Sequence, residues 1–243
     1  MGNCNVVKIM GNICIIPARG GSKRIPRKNI RDFCGKPIIA YSIEAALNSG
    51  CFEEVMVSTD DVEIKKIAEE FGASVPFMRS EYASGDHAMT HTVLLEVLGE
   101  YEKRGRLFEN MCCIYCTAPF VSDSHIKEGM EELGDKWDCV YPVVQFSFPP
   151  QRAVVIHDEK VYWTHRENQF VRSQDLEPIY HDVGQFYCMN VASFKKEPSL
   201  VFGNTKAIII DDLWAQDIDN ETDWRIAEQK YMFLQSNQVK WRI

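Results

Sequence analysis

The sequence predicts an α/β protein whose mostly parallel sheet has helices on both faces. Short apolar runs alternate with segments in which apolar residues recur at helical spacing. Parallel strands are joined through crossover connections, usually helices, so this alternation favours a parallel sheet. The alternation breaks once, near residue 145, which indicates an insertion.

The first half of the chain contains the clearest alternation of strands and helices. Its predicted elements are, in order, a strand at 13–17, a helix at 37–48, a strand at 54–58, a helix at 61–71 and a strand at 74–77. Pro37 lies near the first turn of its helix, and Gly50 lies just beyond the end. Gly72 closes the second helix in the same way.

The second half repeats the pattern around the insertion. Its predicted elements are a helix at 90–104, strands at 111–115, 139–144, 185–191 and 207–210, a helix at 122–133 and a final helix from 221 to about 234. Ser122 is the expected N-cap of the helix that follows it.

Residues 145–185 are predicted to form an inserted β-rich arm. The prolines at 149 and 150 and short alternating pieces at 153–156 and 160–164 replace the expected helix. Such an arm buries little by itself, so it should pack on another subunit or form a lid. We expect residues 1–243 to be one domain that carries this arm.

The composition excludes several classes of protein. The 243 residues carry a net charge of −8, and 45% are hydrophobic, which suffices for a substantial core. No apolar run reaches the roughly 20 residues of a membrane span, and residues 1–12 lack a secretory apolar region. We therefore expect a cytoplasmic protein with no membrane partner. Because basic charge is concentrated in one loop, no nucleic-acid partner is expected either.

Nine cysteines, an odd number, are scattered mostly through apolar stretches, so no disulfide framework is expected. Cys113 and Cys116 have the spacing of a metal-binding pair, and Cys112 lies beside them. No second pair at zinc-finger spacing follows. Buried side chains at a strand end are the preferred interpretation, with structural zinc as the alternative.

The most informative segment is a cationic loop at residues 18–29, directly after the first predicted strand. Between Arg19 and Lys36 the chain has seven Lys or Arg and one acid, Asp32, a local net charge of +6. Like charges this close together repel one another, which is unfavourable without a ligand. Together with the glycines and the preceding strand, they favour a binding site for a polyanion over an ordinary solvated loop. The loop matches neither the Walker pattern nor the dinucleotide fingerprint.

The residue types in this loop suit a triphosphate. Small residues expose backbone amides, and separated cations can neutralise the charge that grows on a leaving pyrophosphate. A neighbouring amide side chain can bind a base or ribose. The candidates are the amides of Gly20, Gly21 and Ser22, the cations Arg19, Lys23 and Lys28, and the side chain of Asn29.

An acidic segment, residues 216–219, follows the last predicted strand. Asp217 and Asp219 are two residues apart, so in an extended segment both carboxylates project to the same side and can face one hard cation. The alternative is a turn in which Asp219 or Asn220 caps the final helix. With a polyphosphate loop upstream, Mg²⁺ is the favoured interpretation.

Two other places are weaker candidates. Thr59 and Asp60 end the second strand at the edge where α/β proteins bind ligands, but a cap by Asp60 or Asp61 on the next helix is preferred. The polar loop at 79–86 either holds a base through Ser84 and nearby backbone or is a surface connection.

Residues 172–187 are dense in hydrogen-bonding side chains, namely Arg172, Gln174, Tyr180, His181 and Gln185. Their density indicates a polyhydroxylated, acidic ligand, and Arg172 can pair bidentately with a carboxylate. No nucleophile elbow is present. His165 and His181 have no nucleophilic partner, so each is interpreted as structural or as a substrate contact.

With these residues in view, the chain resembles the acylneuraminate cytidylyltransferases, the CMP-sugar synthetases of nonulosonic acids. The family signature Ala-Arg-x-x-Ser-Lys-x-x-x-x-Lys-Asn is matched at Ala18, Arg19, Ser22, Lys23, Lys28 and Asn29. The segments that look most like the pseudaminic acid branch are 33–46, 150–153, 172–187 and 216–219. The resemblance implies a Rossmann-like nucleotidyltransferase fold, a homodimer with exchanged arms, CTP and Mg²⁺.

The resemblance also implies a role for each matched position. Arg19, Ser22, Lys23 and Lys28 would contact the triphosphate, Asn29 and Ser84 the cytidine, and Asp217 and Asp219 the magnesium ion. The loop amides at Gly20 and Gly21 and the side chain of Arg79 complete the expected nucleotide site. Tyr115, Thr117, Arg172, Gln174, Tyr180 and Gln185 would meet the sugar, with Tyr180 reaching a partner's site.

One departure concerns the sugar. Sialic acid members carry Gln-Pro-Thr-Ser-Pro where this chain has Tyr-Cys-Thr-Ala-Pro at 115–119, so Tyr115 replaces the Gln that would meet the sugar. The expected reaction is transfer of CMP from CTP to a nonulosonic acid, with pseudaminic acid favoured. The alternatives are N-acetylneuraminic acid, legionaminic acid, an eight-carbon 2-keto sugar acid, or a nucleotide-binding module without catalysis.

Overall fold

The computed structural model describes residues 8–22, 24–85 and 88–237. Its strands are β1 (Lys8–Pro17), β2 (Asp32–Phe33), β3 (Lys36–Pro37), β4 (Glu54–Ser58), β5 (Arg106–Ile114), β6 (Cys139–Gln145), β7 (Val154–His157), β8 (Lys160–Trp163), β9 (Tyr180–Asp182), β10 (Phe186–Asn190) and β11 (Thr205–Ile209). Its α-helices are α1 (Ile38–Ser49), α2 (Val62–Glu70), α3 (Glu81–Ser84), α4 (Thr90–Lys103), α5 (Asp123–Glu132), α6 (Val191–Lys196) and α7 (Glu221–Asn237). Within these ranges no helix is long and apolar enough to cross a membrane.

The central sheet has seven strands, in the order β11-β6-β10-β5-β1-β4, with β9 beside β6. β1 pairs in parallel with both neighbours, so that Ile15 lies opposite Met56 on one side and Cys113 on the other. β10 runs antiparallel to β5 and β6, and β9 runs antiparallel to β6. The sheet is therefore mixed and mostly parallel, which confirms the predicted fold class.

Helices cover both faces of the sheet, as the alternating pattern predicts. Along β1, Cys14 and Ile16 pack into a core on one face, and Ile13 and Ile15 pack into a core on the other. A strand buried on both faces reads as a continuous apolar run, which is why 13–17 stands out in the sequence. The first core takes side chains from α1, α2 and α5, and the second takes them from α4 and α6.

Several predicted boundaries agree closely with the structure, one predicted strand is wrong, and helices α3 and α6 lie where no helix was predicted. Ser122 caps α5 by accepting a hydrogen bond from the His125 amide at 3.2 Å. The strand predicted at 74–77 is reduced to one bridge between Ser74 and Met56, because the proline at 76 has no amide hydrogen. α6 was not predicted. It begins where Asn190 caps the Ser193 amide at 3.0 Å, at the end of the predicted strand.

The inserted segment contains the β7–β8 hairpin, which is exposed along nearly its whole length. Asp158 and Glu159 turn the chain with φ of 50° and 62°, the left-handed conformation of a tight hairpin turn. β9 then returns the chain to the sheet beside β6. The inserted segment therefore starts after β6 and ends in β9, and both are strands of the main sheet.

Candidate functional site

A cavity of about 540 Å³ opens at the carboxyl ends of β1 and β5. Parallel α/β sheets bind ligands at this edge, because loops from neighbouring strands converge there. Its lining residues are Pro17, Arg19, Ser22, Arg24, Lys28, Asn29, Arg79, Ala83, Gly85, Ala88, Thr90, Val93, Tyr115, Cys116, Thr117 and Asp219. Three cations of the cationic loop, together with Arg79, make this cavity strongly electropositive.

The cationic loop supplies one wall of the cavity. Arg19, Ser22, Lys28 and Asn29 all line it, whereas Lys23 lies outside the described residues. The Asn29 side chain is buried and donates to the Arg19 carbonyl at 2.8 Å. Lys28 Nζ donates to the Ile218 carbonyl at 2.6 Å. These contacts fix the loop against the rest of the site.

The predicted amide cradle is partly used by the protein itself. The Gly20 amide donates to Asp60 Oδ1 at 3.0 Å, and the Ser22 amide donates to the Gly20 carbonyl at 3.1 Å. Gly20 and Gly21 are not among the lining residues. Asp60 thus serves the loop backbone, while Asp61 caps α2, as preferred from the sequence.

The acidic segment borders the cavity directly beside the cationic loop. Asp219 lines it and pairs with Arg24 at 2.8 Å, whereas the exposed Asp217 is not a lining residue. The two acids flank the buried Ile218, so both side chains lie on the outer side of this segment. Asn220 caps α7 by accepting from the Thr222 amide at 2.8 Å. The segment therefore does both: Asn220 caps α7, and Asp219 lies at the cavity.

These carboxylates can be compared with what Mg²⁺ requires. Within the described ranges no three or more His, Cys, Asp or Glu side chains cluster as metal ligands. Mg²⁺ is commonly held by one or two carboxylates plus substrate phosphates and water, rather than by an all-protein cage. Asp219 in the cavity and Asp217 two residues away offer such a set of hard oxygen donors, so the residues fit this ion.

Arg79 forms a buried part of the cavity wall. Its side chain is only 8% exposed, and it donates from Nε to Ser58 Oγ at 3.0 Å and from a terminal nitrogen to the Ser58 carbonyl. Burial lowers the pKa of the Arg79 guanidinium, and the nearby Asp60 carboxylate opposes that shift. The predicted residue Ser84 adjoins the lining residue Gly85. Its hydroxyl is buried without a hydrogen-bond partner in the described structure.

Tyr115 and Thr117, both predicted to meet the sugar, follow β5 and line the cavity. The Tyr115 hydroxyl lies 3.5 Å from Thr90 Oγ1, and its ring packs edge-on against Tyr187 with centroids 5.7 Å apart. Burial raises the pKa of the Tyr115 phenol, so it stays protonated and can donate a hydrogen bond. Burial also raises the pKa of the Cys116 thiol to about 11, which keeps it neutral.

The remaining sugar-site candidates do not reach the cavity within one chain. Arg172 pairs with Asp175 at 2.7 Å, and Gln174 is exposed in the same short turn. Tyr180 lies on β9, and the buried Gln185 donates to the Trp214 carbonyl. None of the four lines the cavity.

Sequence reasoning missed several lining residues. Arg24 is in the cationic loop, and its charge was a usable signal. Thr90 and Val93 come from the start of α4, where helical periodicity marks them only as part of an amphipathic helix.

Cys112, Cys113 and Cys116 are buried at the end of β5, which agrees with the preferred interpretation of that group.

Comparisons with known proteins identify the family of this chain. A family model described as cytidylyltransferase matches residues 13–238. The pseudaminic acid cytidylyltransferase of Campylobacter jejuni subsp. jejuni serotype O:2 is 38% identical over 224 residues, which cover 91% of this chain and 97% of the relative. The CMP-N,N'-diacetyllegionaminic acid synthase of Legionella pneumophila is 32% identical over 228 residues, covering 89% of this chain and 94% of that protein.

A solved structure gives the same fold. The CMP:2-keto-3-deoxy-manno-octonic acid synthetase complexed with CTP superposes with a TM-score of 0.66 at 18% identity, covering 93% of this chain and 100% of that chain. The family match spans nearly the whole sequence, including the cationic loop and the acidic segment. The chain therefore belongs to the cytidylyltransferase family.

Proposed function

We propose that this cytidylyltransferase transfers CMP from CTP to the anomeric hydroxyl of a nine-carbon nonulosonic acid, with pseudaminic acid as the favoured substrate. The observation that carries the proposal is the convergence of the cationic loop, Arg79 and Asp219 on one cavity. The relative from Campylobacter, at 38% identity, supports the choice of sugar.

In the proposed reaction the sugar hydroxyl oxygen attacks the α-phosphorus of CTP in line. The new oxygen–phosphorus bond forms as the bond to the bridging oxygen breaks, the hydroxyl proton passes to water, and pyrophosphate leaves. Arg19, Lys23 and Lys28 neutralise the departing charge, which is the main electrostatic contribution that such a site can make. Positioning of the two substrates supplies the rest.

We assign the nucleoside to the buried side of the cavity. Asn29 is held by the Arg19 carbonyl, so its amide has a fixed orientation toward the site. The unpartnered Ser84 hydroxyl beside Gly85 gives a cytosine a group to pair with. Arg79 adds a fixed positive charge at the same wall.

We assign Mg²⁺ to Asp217 and Asp219. When bound, the ion would neutralise phosphate charge and increase the acidity of a hydroxyl that it contacts. Lys28 contacts the backbone carbonyl between the two acids, which ties the triphosphate wall to the proposed metal ligands. Asp219 is the single carboxylate among the lining residues in the described ranges.

The inserted arm is proposed to complete the sugar site in a homodimer. Its surface carries large exposed apolar side chains, including Phe148 (85% exposed), Phe170 (90%) and Ile156 (67%). Apolar patches of this kind mark interaction sites. Arg172, Gln174 and Tyr180 lie on the same segment, so pairing of two copies would bring them to a partner's cavity. We propose that residues 1–243 form one domain and that residues 145–185 of it form the arm.

The alternative substrates differ in the sugar rather than in the chemistry. The Legionella relative at 32% identity favours legionaminic acid as the second candidate. The eight free cysteines of the described structure suit a reducing compartment, so we place the protein in the cytoplasm.

The test is a panel of purified sugar acids with CTP and magnesium chloride, scored by pyrophosphate release. Pseudaminic acid should give the highest kcat/KM, and N-acetylneuraminic, legionaminic and eight-carbon acids should give lower values. A higher value for another acid would reassign the sugar. No release with any acid, despite CTP binding, would instead support a nucleotide-binding module.

A further inference from the structure

The described cations of the loop, which are all of them except Lys23, divide into two sets by direction. Arg19, Arg24 and Lys28 line the cavity. Arg27 does not: its guanidinium reaches the start of α2, where it donates bidentately to the Asp61 carboxylate, with one distance of 3.2 Å, and also pairs with Glu63. Among the loop cations that the structure describes, Arg27 is the one that pairs with two acids away from the cavity.

The backbone at Arg27 starts the turn that carries two cavity residues. Its φ of 54° and ψ of 28° are left-handed, an uncommon conformation for a residue with a Cβ. The Arg27 carbonyl accepts hydrogen bonds from the amides of Ile30 and Arg31, both at 3.0 Å. These bonds close the 3₁₀ turn at Lys28–Ile30, which presents Lys28 and Asn29 to the cavity. Such strained residues persist where their surroundings hold them and cluster at functional sites.

The acceptor side of this contact is itself fixed. Asp61 caps α2 by accepting from the amides of Glu63 at 2.9 Å and Ile64 at 3.0 Å. The hydrogen bond from Arg27 is the main reason that the pKa of Asp61 falls to about 2, so the acid is charged at neutral pH. A carboxylate locked by a helix cap is a rigid anchor.

The neighbouring acid holds the other end of the loop. Asp60 accepts from the Gly20 amide, and Gly20 packs so closely that a Cβ there would lie 2.6 Å from the Asp61 carboxylate. Two points of the loop, Gly20 and Arg27, are therefore fixed to adjacent acids at the carboxyl end of β4. The cavity cations lie on or beside the stretch between those points.

We propose that Arg27 is a positioning residue of the triphosphate site: anchored on Asp61 and Glu63, it holds Lys28 and Asn29 at the cavity. The proposal rests on the function proposed above. Position 27 is one of the unspecified positions of the signature Ala-Arg-x-x-Ser-Lys-x-x-x-x-Lys-Asn. Loss of the anchor should weaken contacts to CTP and pyrophosphate, and leave contacts to the sugar acid nearly unchanged.

Two substitutions separate the anchor from the backbone and the helix cap. Arg27→Asn removes the guanidinium but keeps a residue that adopts the left-handed conformation readily. Asp61→Asn removes the charge but keeps an oxygen that can cap α2. Arg104→Met is the matched control, because it breaks an arginine–carboxylate pair with Glu100 at the end of α4, away from the cavity.

Steady-state kinetics with both substrates and calorimetry with CTP, all in magnesium chloride, test the proposal. We expect Arg27→Asn and Asp61→Asn each to raise the KM and the Kd for CTP by about tenfold, with the KM for the sugar acid within about twofold of the wild type. The inhibition constant for pyrophosphate should rise in parallel. Both substitutions remove the same contact. The CTP Kd of the double variant should therefore be no higher than the Kd of the more impaired single variant. Arg27→Lys should recover part of the loss, and Arg104→Met should match the wild type.

Three results would overturn the inference. They are an unchanged CTP Kd in Arg27→Asn, a double variant whose losses multiply, or equal losses for CTP and the sugar acid. The last would mean a general loss of structure rather than a role in positioning. Failure of the wild type to release pyrophosphate with any sugar acid would refute the proposed function instead, and CTP calorimetry would still decide the role of Arg27.

Discussion

The Arg24 guanidinium lies 2.8 Å from the Asp219 carboxylate and joins the cationic loop to the acidic segment. Two further contacts run beside it: Lys28 Nζ to the Ile218 carbonyl, and Arg31 to Glu221, each at 2.6 Å. Segments separated by about 190 residues in the chain are thus held as one wall of the cavity.

Asp219→Asn should reduce CMP-sugar formation by at least about a hundredfold, because the variant loses the carboxylate proposed to hold the metal and orient Arg24. Pyrophosphate release at saturating magnesium chloride is the measurement, with circular dichroism to confirm folding. Asp212→Asn, a nearby exposed acid, should behave as wild type. Wild-type turnover in Asp219→Asn would refute the metal assignment.

Tyr115→Phe should raise the KM for the sugar acid by about three- to tenfold, the usual worth of one hydrogen bond. The KM for CTP should stay within about twofold. Tyr115 lines the cavity beside Thr90, so removal of its hydroxyl acts on that part of the site. Tyr82→Phe changes an exposed tyrosine and serves as the control. A larger effect on CTP than on the sugar would move Tyr115 to the nucleotide site.

Ile156→Glu should convert the proposed dimer to monomers, because it places a charge on the exposed apolar face of the β7–β8 hairpin. Sedimentation analysis gives the mass directly. Val62→Glu, at another exposed apolar side chain, should leave the mass unchanged. A wild type that sediments as a monomer at micromolar concentration would count against the arm as a pairing surface.

The free energy of unfolding should decrease at acid pH, because Asp61 becomes protonated there. Its pKa is about 2 in the folded protein, against 3.8 when unperturbed. A carboxyl with a depressed folded pKa contributes stability that is fully present above its unfolded pKa and is lost as pH falls toward the folded pKa. After solvent screening, the contribution is roughly 1–2 kcal/mol near neutral pH, and about half of it is lost by pH 3.

Urea unfolding of the wild type and Asp61→Asn at pH 6 and pH 3 measures this contribution as a difference between the two proteins. The gap in free energy of unfolding should narrow at pH 3. The comparison cancels the other carboxyl groups, which titrate in both proteins. A gap that is equal at both pH values would show that the Arg27–Asp61 contact adds no pH-dependent stability.

The parallel core could be predicted from the sequence because its strands are apolar runs with clear helix caps between them. Glu54–Ser58 was placed correctly, since it lies between Gly50 and the Asp61 cap. The antiparallel direction of β10 could not be predicted, because direction depends on how the chain returns from the inserted segment. β9 makes that return by pairing with β6.

The cationic side of the cavity could also be predicted from the sequence, because charge and glycine are local signals. Lys28, Asn29 and Asp219 do converge on the cavity. The anchoring role of Arg27 was invisible, because its partners lie more than thirty residues away and only the fold brings them together. The sugar-site candidates on the arm lie outside the cavity lining of one chain, and the proposal that they act in a homodimer is one that no local sequence pattern can test.

The segregation of charge also governs how ligands arrive and depart. Arg19, Arg24, Lys28 and Arg79 line one cavity in a chain with net charge −8, so a polyanion is attracted to that cavity and repelled by the net charge of the rest of the chain. The on-rate for CTP should therefore rise as ionic strength falls, which stopped-flow mixing can measure, and an on-rate independent of salt would contradict this. The same attraction slows the dissociation of pyrophosphate. Added salt should therefore lower the on-rate of CTP and raise the off-rate of pyrophosphate.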